Sequence, residues 1–480
     1  MGYKIGVDKK QQSLLPASLD DYVPEDHICR VIEAFTLQLD LLSLGYKYAE
    51  CNSMGCCPYD PRMMLNLYIY GYLHRVRSSR RLEAETTRNV EVMWLMDNLQ
   101  PDDKTICNFR KDNKEALRKT FRVFSEMCRD FGLYGGETVA TDSVKFRANN
   151  SRKNNWNKTT VERELKRIDK QINEYMNELE QADKEEAKNF DPPNTVAIKD
   201  ALENLKQRKD TITKLQNRIE SEGEVSTVDH DSRLMRSGGD GRPLDVCYNV
   251  QTVVDSENHL IVDFEIADRS DDKGNLHMMS EKAKDVLGVD NLTNLADKGY
   301  YDGKDISACE ENGVTCLVAK PKPGGVVKEE GFTRDRFIYD REKDCYSCPG
   351  GNCLRYMRNQ IHSDGTDCRV YANYAACPKC PEKPKCTKAE HRQILRRPFE
   401  DTLDTVNVRT KANKLLYRKR QEIVEHPFGT VKAIWGYKQF LCRTKPKITA
   451  ETALAYLAYN MRRFINIYTA AGKNPAEVWA

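Results

Sequence analysis

Between residues 246 and 319, short apolar runs of period two take turns with runs of helical period, and this alternation constrains the fold more than any other feature of the sequence. Residues 246–255 alternate strictly, Ser256-Glu257-Asn258 forms a turn, and 259–266 returns as a second strand. A helix is expected over about 275–287, a short strand over 292–300, a helix over 304–311 and a strand over 314–319. One more buried strand, 137–143, stands well upstream behind the Tyr134-Gly135-Gly136 break. Strands and helices in this order build an α/β sheet. Two of the strands carry an acid near their ends, Asp142 and Asp297. Taken singly, each reads as an ordinary strand-end aspartate.

A third acid stands out by its surroundings. Glu425, in Val424-Glu425-His426-Pro427-Phe428-Gly429-Thr430-Val431-Lys432, lies among eleven Lys and Arg between Arg409 and Lys447. A carboxylate amid phosphate-seeking cations suits a metal-dependent nucleic-acid enzyme, and a solvated charged face is the plainer alternative. The net charge of +3 does not by itself indicate nucleic acid, so the clustering carries the argument.

The remaining stretches differ in character. In the N-terminal third, Asp60-Pro61-Arg62 starts a helix; a second runs from about Ser79 to Leu95, and a third from near Asp103 to Met127. With the basic run 74–81 between them, these are consistent with either a helix-turn-helix DNA reader or a helical cap. Val161, Leu165, Ile168, Ile172, Tyr175 and Leu179 form a heptad seam that resumes at Ile198, Leu202, Leu205, Ile212, Leu215 and Ile219. With a Pro-Pro turn in 189–194, this predicts an antiparallel coiled-coil hairpin.

Seven of the 17 cysteines fall between Cys345 and Cys386. Cys345-x2-Cys348 followed by Cys377-x2-Cys380-x5-Cys386 is close to zinc-ribbon spacing, with Cys353 and Cys368 leaving the choice of four open. No apolar run approaches the roughly 20 residues of a membrane span, and residues 1–6 lack a secretory core, so a cytoplasmic protein with reduced thiols is expected.

Strand, strand hairpin, helix, strand, helix, strand and a final Glu425 helix is the order of the ribonuclease-H-like fold. Its first and fourth strands are neighbours, so Asp142 and Asp297 would converge across about 155 residues of sequence. On Thr141-Asp142-Ser143, Ala296-Asp297-Lys298-Gly299-Tyr300 and the Glu425 stretch, the chain resembles the DDE transposases of bacterial insertion sequences. Asp231-Ser232-Arg233-Leu234-Met235, Tyr248-Asn249-Val250-Gln251 and Thr105-Ile106-Cys107-Asn108-Phe109-Arg110 also look like family sequence. The resemblance implies a catalytic triad of Asp142, Asp297 and Glu425 holding two Mg²⁺ (or Mn²⁺) ions. It implies DNA contacts at Lys432, Arg420, Arg443, Lys298 and Arg110. It favours structural zinc on Cys348, Cys377, Cys380 and Cys386, with Cys345 as an alternative ligand.

Similar transposases carry Tyr and Arg seven and four residues before the Glu; here Arg418 and Gln421 stand there, with Tyr417 and Arg420 one residue further away. If one triad acid is misplaced, Glu422 or Asp231 is the substitute. The expected division is a helical DNA-binding domain (1–135), the first core strand (136–155), the coiled-coil hairpin (156–224), the ribonuclease-H-like core (225–335), a Cys-rich zinc insertion (336–396) and the C-terminal core helices (397–480). The implied function is binding terminal inverted repeats, cleaving 3′ ends and joining them to target DNA, as a homodimer or larger assembly. A nuclease of the same fold and a silent transposon-derived DNA-binding protein are the alternatives.

Overall fold

The structure, a computed structural model, describes residues 18–50, 57–186, 196–236, 243–321, 331–363 and 365–479. The first six residues and the Pro-Pro turn lie outside them. Among the described residues seven α-helices precede the sheet: α1 (Ile28–Leu37), α2 (Leu41–Leu44), α3 (Pro61–Leu73), α4 (Ser79–Arg88), α5 (Val90–Leu95), α6 (Asp103–Asp112) and α7 (Lys114–Asp130). Asp60 caps α3 by accepting the Arg62 N–H at 2.7 Å, with Pro61 in the first turn. The two long helices expected after Ser79 and Asp103 are each broken at an asparagine. Asn89 caps α5 by accepting the Glu91 N–H, and Asn113 bonds the Phe109 carbonyl while accepting the Lys47 N–H. Such side chains compete with the helical ladder.

The sheet follows. It is built from β1 (Thr138–Arg147), β4 (Arg233–Arg236), β5 (Leu244–Asp255), β6 (Ile261–Ala267), β7 (Leu292–Ala296) and β8 (Val314–Val318), with α10 (Leu276–Leu287) and α11 (Gly303–Glu311) in the crossovers. Between β1 and β4 stand β2 (Asn155–Asn157), α8 (Lys158–Glu186), α9 (Val196–Glu222) and β3 (Glu224–Ser226). The strand order is β4-β5-β1-β7-β8, with β6 also on β5. Strand β1 runs antiparallel to β5 and parallel to β7, which is parallel to β8. It is longer than its apolar stretch, because β5 pairs with it from Val139↔Asp255 to Arg147↔Cys247 and carries the polar residues along.

Helices α8 and α9 are joined by the ion pairs Arg208–Glu164 (2.7 Å) and Lys209–Asp169 (2.7 Å), and they run antiparallel because the β2–β3 ladder brings the start of α8 to the end of α9. Val161, Ile168, Ile212 and Ile219 form their seam together with Val225. The short β2–β3 ladder closes the base.

A second, five-stranded sheet holds β9 (Ile338–Asp340), β10 (Cys345–Ser347), β11 (Cys353–Ile361), β12 (Asp367–Ala372) and β13 (Gln393–Arg396), with the short helix α12 (Lys383–Cys386) before β13. Three helices end the chain: α13 (Glu400–Ala412), α14 (Lys414–Phe428) and α15 (Lys445–Ala470). Most of α15 is buried, and one continuous core joins it to the N-terminal helices and to β1, β5 and β6. Phe121 packs edge-on against Phe264 at 5.2 Å, and the rings of Phe35, Phe124, Phe131 and Phe464 surround Trp479. The N-terminal helices therefore share their hydrophobic core with the sheet and the last helix. Among the described residues no helix is long and apolar enough to cross a membrane.

Candidate active site

The register of β1 on β7 pairs Ala140 with Leu295 and Thr141 with Ala296. Asp142, midway along β1, and Asp297, the residue after β7, come next, so the two acids stand side by side where the parallel pairing stops. Asp297 then caps a short 3₁₀ turn by accepting the Gly299 N–H at 2.6 Å. Asp142 accepts the Ser143 N–H at 2.7 Å and faces Arg420 of α14 at 3.1 Å. Burial pushes the Asp142 carboxyl up to about 6, and nearby Asp297 and Asp272 add to the rise while Arg420 opposes it.

Asp272 is the acid that the sequence reading missed. It lies in the loop after β6, and its Oδ1 accepts from Asn249 Nδ2 (3.0 Å) and Gln251 Nε2 (2.9 Å). Lys145 stands 3.5 Å from its Oδ2. Burial works to raise its pKa, but Lys145 and the hydrogen bonds from Asn249, Gln251 and Ser143 outweigh this and hold it below the ordinary value. The signal was present on β5: Asn249 and Gln251 are polar, two apart on one strand face, and fully buried. Gly299 allows the close approach of these acids. A Cβ there would lie 2.8 Å from Asp297 Oδ1 and 3.4 Å from Asp272 Oδ2. Tyr300 is buried beneath and donates to Gln251 Oε1.

Glu425 lies on α14, whose Ile423 and Val424 pack in one apolar cluster with Ala140 and Leu295, each two residues before its aspartate. Glu425 itself is exposed, and its Oε1 accepts from Gln421 Nε2 at 2.6 Å. Tyr417 and Arg420, one residue out of the expected phase, nevertheless face the acids. Arg420 meets Asp142, and Tyr417, its pKa raised by burial, lies in the fields of Arg420 and Asp297.

Lys432 does not continue the α14 helical phase, because residues Gly429–Ile434 form a π-helical turn. It is half-buried and donates to the Lys145 carbonyl of β1 at 2.8 Å. Lys298 is exposed next to Asp297. Arg443 is exposed and donates to the Asn149 carbonyl at 2.9 Å, whereas Arg110 is almost wholly buried beside Tyr68.

The two substitute acids fall elsewhere. Asp231 accepts the Lys445 N–H at 2.6 Å and so serves the start of α15. Glu422 is exposed on α14, in the field of His259.

In the small sheet, Cys348, Cys377, Cys380 and Cys386 line one cavity of about 20 Å³, room for about one atom-sized occupant. Gly350 donates its N–H to Cys348 Sγ at 3.2 Å, and its missing side chain leaves space 3.5 Å from that sulfur and 3.8 Å from Cys380 Sγ. Burial raises the Cys386 thiol, Arg392 opposes that, and the three other thiols add to the rise. Four thiols are the soft ligands that zinc takes, but no three of these sulfurs lie within 4.8 Å of one another. Cys345 stands apart from them: its sulfur lies against Cys353 across β10 and β11 and not on the four-cysteine cavity. Among the described residues a trio of metal-type ligands does stand close, His27, Cys29 and Glu91, at the start of α1.

Fold and site together describe a mixed α/β protein with an acidic cluster where the pairing of two parallel strands stops, bordered by lysine and arginine. Residues 17–112 match the family model "Transposase domain (DUF772)", and residues 347–465 match "Transposase DDE domain". These two matches identify the chain as a relative of the DDE transposases. The second match includes Glu425 and the four clustered cysteines; Asp142 and Asp297 lie outside both. Among solved structures, the chain is similar to a piggyBac transposase in a synaptic complex with hairpin DNA. The identity is 8%, over 95% of this chain and 75% of that one, and the TM-score of 0.29 is too low to bear on function. No curated protein matches the sequence.

Proposed function

We propose that the protein is a DNA transposase with a ribonuclease-H-like core, and that Asp142, Asp297 and Glu425 form its catalytic triad. The observation that carries this reading is the β1–β7 register, which sets Asp142 and Asp297 side by side next to the helix that bears Glu425. The antiparallel hairpin α8–α9 and the Cys-rich small sheet are insertions into that core.

The acidic cluster fits divalent cations. Asp142, Asp272 and Asp297 offer hard oxygen ligands, and burial together with mutual repulsion disfavours the Asp142 charge until a cation compensates it. Asp142, Asp297 and Glu425 would hold paired Mg²⁺ or Mn²⁺, whose chemistry would be to lower the pKa of a water or 3′-hydroxyl and to offset charge on a leaving oxygen. The chain's own part is placement. Asn249, Gln251 and Lys145 fix Asp272, Gly299 keeps the space between Asp272 and Asp297 open, and Arg420 and Lys298 are positioned to neutralise phosphates. The four cysteines would hold a structural Zn²⁺. DNA with terminal inverted repeats and a target duplex are the partners, and bringing two ends together calls for at least a dimer.

A strand-transfer assay tests this reading. The substrate is a duplex carrying the element's terminal repeat, labelled on the transferred strand, incubated with a target plasmid and Mg²⁺. Joined products of target size are expected. Cleaved ends that never join would instead make the protein a nuclease of the same fold, and bound but uncut duplex a DNA-binding protein.

A further inference from the structure

A second basic feature lies away from the acids, where α6 meets the loop after β1 and the segment leading into α15. Cys107, Arg110, Lys111, Asn149, Leu441, Cys442, Arg443 and Lys447 line a pocket of about 340 Å³ there. Four of these are cations and none is an acid. Arg110 is 92% buried, and its Nη1 reaches no hydrogen-bond acceptor and is itself closed off from solvent, so its charge and not that atom faces the pocket. A guanidinium stays charged at any working pH, so an unfilled buried donor is costly to the free protein.

Glu451, whose charge Arg110 feels, does not fill it. The two Glu451 oxygens accept the Leu441 and Cys442 N–H groups, and Arg77 stands 3.6 Å away. These bonds fix the pocket wall. Asn149 Nδ2 donates to the Leu441 carbonyl at 2.9 Å, and Arg443 Nε to the Asn149 carbonyl at 2.9 Å, so the rim is also tied together before any ligand arrives.

We infer that this pocket receives a single backbone phosphate of bound DNA, attracted by the charges of Arg110, Lys111, Arg443 and Lys447 in its lining. The inference rests on the transposase reading and adds an anchoring point to it. Asn149 follows Asp142 by seven residues along β1 and its extension, a reach of at most about 23 Å. That is roughly two-thirds of a turn of B-form duplex. A phosphate seated here would lie on the same DNA segment as a scissile bond at the acids, and would fix the register between the N-terminal helices and the core. The pocket takes a phosphate by charge and size, and the test distinguishes DNA from the free anion.

The full-length protein is titrated with a short fluorescent duplex over a range of salt, and alkylation of exposed Cys107 is followed by mass spectrometry. The wild type is compared with the double variant Arg443→Ala/Lys447→Ala, whose changes lie in the pocket lining, and with Arg110→Lys. Thermal melts confirm that each is folded. Bound duplex is expected to protect Cys107 in the wild type. In the double variant protection is lost, affinity falls roughly tenfold, and the slope of log K against log salt decreases by about one, the value for one phosphate contact. Arg110→Lys, which keeps a charge but loses the fork, should fall between the two.

An unchanged salt slope with Cys107 still reactive, in a protein that binds duplex, overturns the pocket alone. Protection by millimolar inorganic phosphate but not by bound duplex assigns a free-anion site and also overturns it. No duplex binding by the wild type overturns the transposase reading, and this inference with it.

Discussion

Asp142 carries a charge that the metal-free fold holds at a cost. Its carboxyl is raised to about 6 by burial and by Asp297 and Asp272, more than Arg420 and the Ser143 N–H can offset. A carboxyl with a raised folded pKa costs nothing below its unfolded value and the full amount above its folded one, so stability is lost as pH rises between them. Asparagine removes the charge and keeps the shape. In EDTA, Asp142→Asn is expected to exceed the wild type by on the order of 1–3 kcal/mol at about pH 8 and to match it near about pH 4. Urea midpoints across that range check this, and a variant less stable than wild type at the higher pH would contradict it. Asp142 and Asp297 were legible in the sequence because each ends an apolar run, where a single acid stands out. Asp272 was not, since it sits in a loop rich in aspartate and its importance comes from Asn249 and Gln251, far back on another strand. Spacing alone set Arg420 one residue out of phase. Its contact with Asp142 depends on how α14 lies across β1, which offsets along one helix do not report.

At the scale of elements, the hairpin α8–α9 is the clearest unit. Its seam is its own apolar cluster, and it joins the rest through the β2–β3 ladder, where Asn157 pairs with Glu224. Replacing residues 158–223 with a two-residue Asn-Gly turn is therefore expected to leave the six-stranded sheet folded. The midpoint of thermal unfolding should move by only a few degrees, on the order of 1 kcal/mol in a protein of this size, while helical circular dichroism drops in proportion to the residues removed. Aggregation of the shortened protein, or loss of the main transition, would show that the hairpin supports the core. The heptad pattern made this element readable, because each seam residue meets a partner at fixed spacing. The breaks at Asn89 and Asn113 were not readable, because asparagine is tolerated in helices and interrupts one only where its side chain finds a backbone partner. The π-helical turn after Phe428 is a similar case: Pro427 and Gly429 mark a weak ladder without saying which irregular turn replaces it.

For the molecule as a whole, the order of strands and helices was legible from residue 246 to 319, and the large sheet follows it, whereas the five strands between Ile338 and Arg396 were read only as a Cys-rich insertion. The relation of the N-terminal helices to the rest was not legible. Phe35, Phe124, Phe131 and Trp479 come from opposite ends of the chain, and a local reading sees only that each is apolar. Their packing makes the helical third and the sheet one body, so that α6 and its Arg110 face the same side as the segment before α15. The central claim is that Asp142, Asp297 and Glu425 cut DNA with divalent metal. Its most direct test is nicking of a labelled terminal-repeat duplex by wild type, Asp142→Asn, Asp297→Asn and Glu425→Gln, with Mg²⁺, with Mn²⁺ and with EDTA. Nicking that needs the metal, and a fall of at least about a hundredfold in each variant while duplex binding is retained, is the expected result. Nicking that persists in Asp297→Asn, or its absence from wild type that binds the duplex, would contradict the account.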